Sequence, residues 1–151
     1  MKNKELRRIY IDTNVLINYC TKQEKDVEVL DYIFRTRRRE ILFTSSLALV
    51  QTISNLQTKK KTRDAFNKKE TEKEINDLTA KITIINLTAN DITAGLRMEG
   101  KDIEDNIHFA LARKLKCGVI LTNNLSDFSK FQSSVRISPQ MSLSAIKRVI
   151  K

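Results

Sequence analysis

Apolar residues recur along this chain in two alternating rhythms. Ile9-Tyr10-Ile11 is a short β-branched and aromatic run with no polar break, the pattern of a strand buried on both faces. Ile41-Leu42-Phe43, Ile82-Thr83-Ile84-Ile85, Val119-Ile120-Leu121 and Val135-Arg136-Ile137 read as four further strands. Between them the apolar spacing switches to that of a helix with one buried face. Val27, Leu30, Ile33 and Phe34 predict a helix from Asp26 to about Arg38. Leu47, Leu49, Val50, Ile53 and Leu56 predict another, opened by a cap within Thr44-Ser45-Ser46. Thr62 to about Lys81 reads as a highly charged helix with a sparse stripe of Ala65, Phe66, Ile75 and Leu78. Thr88 caps a helix through Leu96, Asp102 caps one carrying Ile107, Ala110, Leu111 and Leu115, and a last helix follows Pro139. Gly95 and Gly100 are expected to bracket a loop, and the segment from Ser54 to Lys81 to form an inserted helical arm. Strands alternating with helices through short connections predict an α/β fold with a mainly parallel sheet, in one domain over residues 1–151.

Composition supports this and narrows the setting. Three Gly and one Pro leave little room for long loops, and 40% hydrophobic residues suit a packed core. Cys20 and Cys117 stand far apart with no His cluster beside either, so they read as buried thiols in a reducing cytosol. No apolar run reaches signal-peptide or membrane-spanning length, so a cytoplasmic protein without membrane attachment is expected. The formal net charge of +10 changes the picture more. Lys and Arg concentrate in Arg35-Thr36-Arg37-Arg38-Arg39, Lys59-Lys60-Lys61-Thr62-Arg63 and Lys68-Lys69, which favours a polyanionic partner such as nucleic acid. Arg37, Arg38, Arg39, Lys59, Lys60, Lys61 and Arg63 are the candidate nucleic-acid contacts. The competing account is that these charges solvate helix faces and complement a helix C-terminus.

Candidate chemistry lies in acids at element ends. Asp12 stops the first strand in Ile11-Asp12-Thr13-Asn14-Val15-Leu16, where α/β sheets place their ligands. Asp102-Ile103-Glu104-Asp105 opens a later helix, and Asp127 follows the fourth strand in Thr122-Asn123-Asn124-Leu125-Ser126-Asp127-Phe128. Each has a local alternative: Asp12 as a helix cap, Asp102 and Asp105 as a capping pair, Asp127 as a turn residue. Together they match the needs of a divalent-metal hydrolase, which requires no Ser or His nucleophile. His108, the single histidine, reads as a bystander on an amphipathic helix. A haloacid-dehalogenase-type phosphatase would need an acid where Asn14 stands, and no G-x-G-x-x-G follows any strand to support dinucleotide binding.

Three blocks carry a resemblance over nearly the whole chain: Asp12-Thr13-Asn14-Val15-Leu16; Ile103-Glu104-Asp105 with Ala110 and Ala112; and Thr122-Asn123-Asn124 with Asp127-Phe128. They resemble the signature blocks of the PIN domain, nearest to the small bacterial toxin-type (VapC-like) proteins of toxin–antitoxin modules. The resemblance implies a three-layer α/β/α sandwich with a five-stranded, mainly parallel sheet. It implies cleavage of RNA phosphodiesters with Mg²⁺ or Mn²⁺ held by Asp12, Asp105 and Asp127. Gln51 and Asp102 are further candidate ligands, and Thr13, Asn14, Ser46, Thr122 and Asn124 supporting polar groups. A toxin of this kind would have an antitoxin protein as partner and form a homodimer. Relatives usually carry a Glu about five residues past the Ser that begins the second helix; here Ser46 is followed at that distance by Gln51. An amide oxygen can ligate Mg²⁺ but brings no charge and cannot act as a base. That substitution supports the alternative of a PIN-like module that binds RNA or protein without cutting.

Overall fold

The computed structural model describes residues 7–128 and 135–151, the side chains of 127 and 128 excepted. Among them the chain runs β1 (Ile9–Ile11), α1 (Thr13–Cys20), α2 (Glu24–Thr36), β2 (Leu42–Ser45), α3 (Ser46–Leu56), α4 (Lys68–Lys81) and β3 (Thr83–Ile85). It continues through α5 (Ala89–Leu96), α6 (Ile103–Lys114), β4 (Val119–Leu121), β5 (Val135–Ile137) and α7 (Leu143–Ile150). Short 3₁₀ turns occupy Arg39–Ile41 and Leu125–Phe128.

The five strands form one sheet in the order β3-β2-β1-β4-β5, and every pairing is parallel. β1 is central, which is why Ile9, Tyr10 and Ile11 are all fully buried. Its side chains alternate between two cores. Ile9 and Ile11 pack with Leu30, Ile33, Leu56, Leu78 and Ile146 on one face; Tyr10 packs with Phe109, Leu111 and Ile120 on the other. The result is the expected α/β/α sandwich. From β1 the chain moves outward to β2 and β3, then crosses back to β4 on the other side of β1. The β1–β4 boundary is therefore the switch point where open α/β sheets form a crevice at the carboxyl ends of their strands.

Three local expectations need correction. The charged helix begins at Lys68 rather than Thr62, because Asn67 caps it through Glu70 N–H. The residues before it are tied to α3 instead: Arg63 donates to the Asn55 side chain and carbonyl, and Phe66 N–H to Leu56 O. The segment after Ser54 does not project as an arm, since Thr71 and Leu78 of α4 are buried. Full burial of a leucine is worth about 2 kcal/mol, which a projecting arm would forgo. Gly95 lies inside α5, not at a loop edge. A Cβ there would come within 2.5 Å of Ile107 Cγ1, so glycine permits the close α5–α6 contact. Cys20 and Cys117 are buried thiols, and burial pushes the pKa of both up to about 12.

Candidate active site

β1 ends at Asp12, which is buried and caps α1: Oδ1 accepts from Thr13 N–H at 2.8 Å. Its other oxygen, Oδ2, accepts from Thr122 Oγ1 at 2.8 Å and from Asn14 Nδ2 at 3.2 Å. Asn14 Oδ1 in turn accepts from Asn123 N–H, and Thr122 Oγ1 from Asn124 N–H. The polar ends of β1 and β4 are thus laced together across the switch point. One layer further out, Asn123 Nδ2 donates at 2.8 Å to Asp26, a carboxylate on α2 that is 1% exposed. Three donors occupy three of the four lone-pair directions of Asp12 and leave one for another ligand.

A cleft of about 660 Å³ opens over this point. Asp12, Glu104 and Asp105 line it, as do His108, Gln51, Asn55, Asn124 and Lys60. Apolar Ile17, Leu47 and Val50 complete the wall, and Val50 is 64% exposed. Glu104 rather than Asp102 is the second acid of this cleft. Asp102 caps α6, accepting from Asp105 N–H, and is absent from the cleft lining. Ser46 is also turned elsewhere: its Oγ accepts from Leu87 N–H at 2.9 Å, while Ser45 caps α3. Asp127 lies in the turn after β4, but its side chain falls outside the described residues.

His108 is not a bystander. It is buried on α6, with Nδ1 2.7 Å from the Tyr10 hydroxyl and Nε2 3.0 Å from Gln51 Oε1. Thr13 Oγ1 donates to the same Gln51 oxygen at 2.8 Å, and Tyr10 reaches Ser45 Oγ at 3.0 Å. A polar chain therefore runs from α3 through β1 and α6 into the cleft. Burial pushes the His108 pKa below its ordinary value of 6.5, although the charges of Asp12, Glu104 and Asp102 pull upward. The unfolded chain then takes up the histidine proton more readily than the folded one. Stability is full above about pH 6.5 and falls as pH drops below it. Melting temperatures between pH 5 and 7.5 should show this slope, and a His108→Phe variant should lack it.

A family model for the PIN domain matches residues 8–126. The chain belongs to the PIN-domain family. No curated protein sequence matches it at significance. Several solved structures share the fold: a toxin–antitoxin complex from Klebsiella pneumoniae has a TM-score of 0.64 at 18% identity, covering 89% of this chain and 99% of that one. VapBC2 from Rickettsia felis, bound to a promoter DNA fragment, has 0.62 at 14%, covering 86% and 97%. The sarcin–ricin-loop-cleaving toxin VapC20 of Mycobacterium tuberculosis has 0.62 at 13%, covering 82% and 95%.

Within this PIN domain the donor set suits a hard cation. Among the described residues no group of three or more His, Cys, Asp or Glu side chains is arranged as a metal cage. Mg²⁺ does not ask for one; it keeps several waters and takes one or two carboxylates, which Asp12 and Asp105 would supply as oxygen donors. The basic clusters separate. Arg37, Arg38 and Arg39 precede β2, at the opposite end of the parallel sheet from the cleft. Arg37 donates to Ile150 O and Arg39 to Ile82 O. Lys60 lines the cleft, Lys59 and Lys61 are its exposed neighbours, and Arg63 is held on α3. Among the described residues no helix is long and apolar enough to cross a membrane.

Proposed function

We propose that this PIN domain is a divalent-metal-dependent ribonuclease, the toxin of a toxin–antitoxin module, using Mg²⁺ or Mn²⁺. The observation that carries the reading is the convergence of Asp12, Glu104 and Asp105 on one cleft at the β1–β4 switch point, in a chain of net charge +10. Asp12 and Asp105 would hold the ion, with Asp127 as a third acid. A bound divalent ion supplies hydroxide at neutral pH and stabilises the charge that develops on the phosphate. The chain's own part is positional. Thr122, Asn14 and the Thr13 N–H fix both oxygens of Asp12, so the carboxylate does not reorganise during the reaction. Lys60 and its neighbours offset the repulsion between the acidic wall and an approaching polyanion.

Cleavage of single-stranded or loop RNA is expected with Mn²⁺ or Mg²⁺ and not in EDTA, read by gel; activity that survives excess chelator would remove the metal mechanism. The location of the basic groups gives a second expectation. Replacing Lys59, Lys60 and Lys61 together should flatten the slope of log affinity against log salt by about two, at roughly 0.7 per phosphate contact on a single strand. Replacing Arg35, Arg38 and Arg39 should leave that slope alone. Equal effects of the two triple variants would place RNA on both ends of the sheet.

Gln51 favours a second reading, a PIN module that binds RNA or a protein partner without cutting, because the amide brings no charge to the site. The same cleavage assay separates the two. An antitoxin protein belongs to the proposal as a partner, since the neighbours from Klebsiella and Rickettsia are themselves toxin–antitoxin or VapBC complexes; a second copy of the chain is the partner that the family resemblance implies.

A further inference from the structure

Gln51 carries a cleft amide whose two ends face different surroundings. Its Oε1 is held twice, by the Thr13 hydroxyl at 2.8 Å and opposite His108 Nε2 at 3.0 Å. An amide oxygen bears no proton, so in the neutral ring Nε2 is the protonated nitrogen, and Nδ1 faces the Tyr10 hydroxyl at 2.7 Å. Two donors on one oxygen fix the plane of the amide. Its nitrogen therefore points away from Thr13 and His108. Among the described residues the one buried side-chain nitrogen or oxygen without a partner is Arg37 Nε, so Gln51 Nε2 is open to the cleft that Gln51 lines. An NH₂ group is a donor only and cannot ligate a cation.

We propose that Gln51 is a phosphate-binding residue: Thr13 and His108 hold its amide so that Nε2 donates to a non-bridging phosphate oxygen of the nucleic-acid substrate. This rests on the nuclease reading above and gives the groups of the cleft two tasks. Asp12, Glu104 and Asp105 would serve the cation, and Gln51 and Lys60, on the lining of the same cleft, the anion. The division solves an electrostatic problem. A phosphodiester must approach three carboxylates, and a fourth at this position would repel it, whereas a neutral donor attracts it.

The test uses the full chain and two separate probes: a short single-stranded RNA oligonucleotide in EDTA, followed by fluorescence anisotropy, and Mn²⁺ alone, followed by thermal shift. Gln51→Ala should weaken the oligonucleotide about tenfold, the effect of losing one hydrogen bond to a charged acceptor. The same variant should leave the Mn²⁺ midpoint unchanged. Thr13→Val releases one hold on Oε1, so it should weaken RNA by a few-fold, and Gln51→Ala should cost less in that background than in the parent. Gln51→Leu keeps the side-chain bulk and replaces the alanine variant if that one fails to fold. Unchanged RNA affinity in the Gln51 variants would overturn the assignment. So would weakened Mn²⁺ binding with RNA affinity intact, which would make the amide oxygen a metal ligand. A parent that fails to bind the oligonucleotide even at low salt would sink the nuclease reading, and this assignment with it; a binding parent with an indifferent Gln51 sinks the assignment alone.

Discussion

Asp12→Asn is expected to reduce metal-dependent RNA cleavage to the buffer level while the protein melts close to the parent. Asparagine is as good a helix cap as aspartate, so the bond from Thr13 N–H survives. What is lost is the charge that would hold the ion, together with one acceptor for Thr122 or Asn14. Removing a negative charge beside Glu104 and Asp105 offsets part of that loss, and the net change in stability should stay within about 1 kcal/mol. Asp12→Ala behaves differently. It loses the cap, about 1 kcal/mol, and leaves Thr122 and Asn14 without their buried acceptor, about 1–3 kcal/mol more. Urea unfolding of the two variants beside a cleavage assay separates chemistry from scaffold. An asparagine variant that still cuts RNA would exclude Asp12 as a ligand, and one as unstable as the alanine variant would reduce Asp12 to a structural cap. Asp105→Asn, at a half-buried position on the same cleft, should lose cleavage with a smaller effect on folding.

Gln51→Glu should tighten Mn²⁺ binding by about ten- to a hundredfold, since a charged ligand contributes on the order of 1–3 kcal/mol at a partly buried site. Considered alone, a new carboxylate would destabilise the metal-free protein by joining like charges. His108 alters that expectation, because the new carboxylate would sit where Oε1 lies now, 3.0 Å from Nε2. It would raise the histidine's folded pKa above the unfolded value of 6.5. The resulting ion pair stabilises fully below about pH 6.5 and is lost as pH rises through the raised pKa. The metal-free variant should therefore approach the parent near pH 6 and fall behind it toward pH 9. This slope is opposite in sign to the parent's own. Mn²⁺ should restore the variant at high pH. A large loss of melting temperature that ignores both pH and metal would mean that Gln51 is a packing residue.

The sheet was legible because its signal is local and redundant. Each strand is a short apolar run of three or four residues, and acid or hydroxyl caps mark the helices at Asp12, Thr88 and Asp102. The placement of Asp12 followed from the same logic, as strand ends carry the chemistry in parallel sheets. Distinguishing Asp102 from Glu104 and Asp105 was not possible from spacing. Asp102 is spent on the Asp105 N–H, and only the turn of α6 decides which acid points at the cleft. His108 was missed because a histidine flanked by Ile107 and Phe109 gives no pattern of its own. Its partner was nevertheless visible: Tyr10 faces the opposite side of β1 from Ile9 and Ile11, and a buried phenol there requires a hydrogen-bond partner. Asn106 is a similar case, buried on α6 and donating to the carbonyls of Gly95 and Gly100. The two basic clusters look alike as sequence. Their separation to opposite ends of the molecule comes from the direction of β2, which runs from one end toward the other.

The bond between Thr122 and Asp12 spans 110 positions, and it has a consequence in time as well as in space. Thr122, one of the two donors to the second oxygen of Asp12, is made 110 residues after it, directly behind β4, the strand across the switch point. A nascent chain carrying Asp12 and Gln51 has neither Thr122 nor Asp105 to complete the cleft. For the nuclease proposed above, this order of assembly delays the site. The cleft stays incomplete until β4 and Thr122 have been made, and a partner that masks it has that interval to be ready.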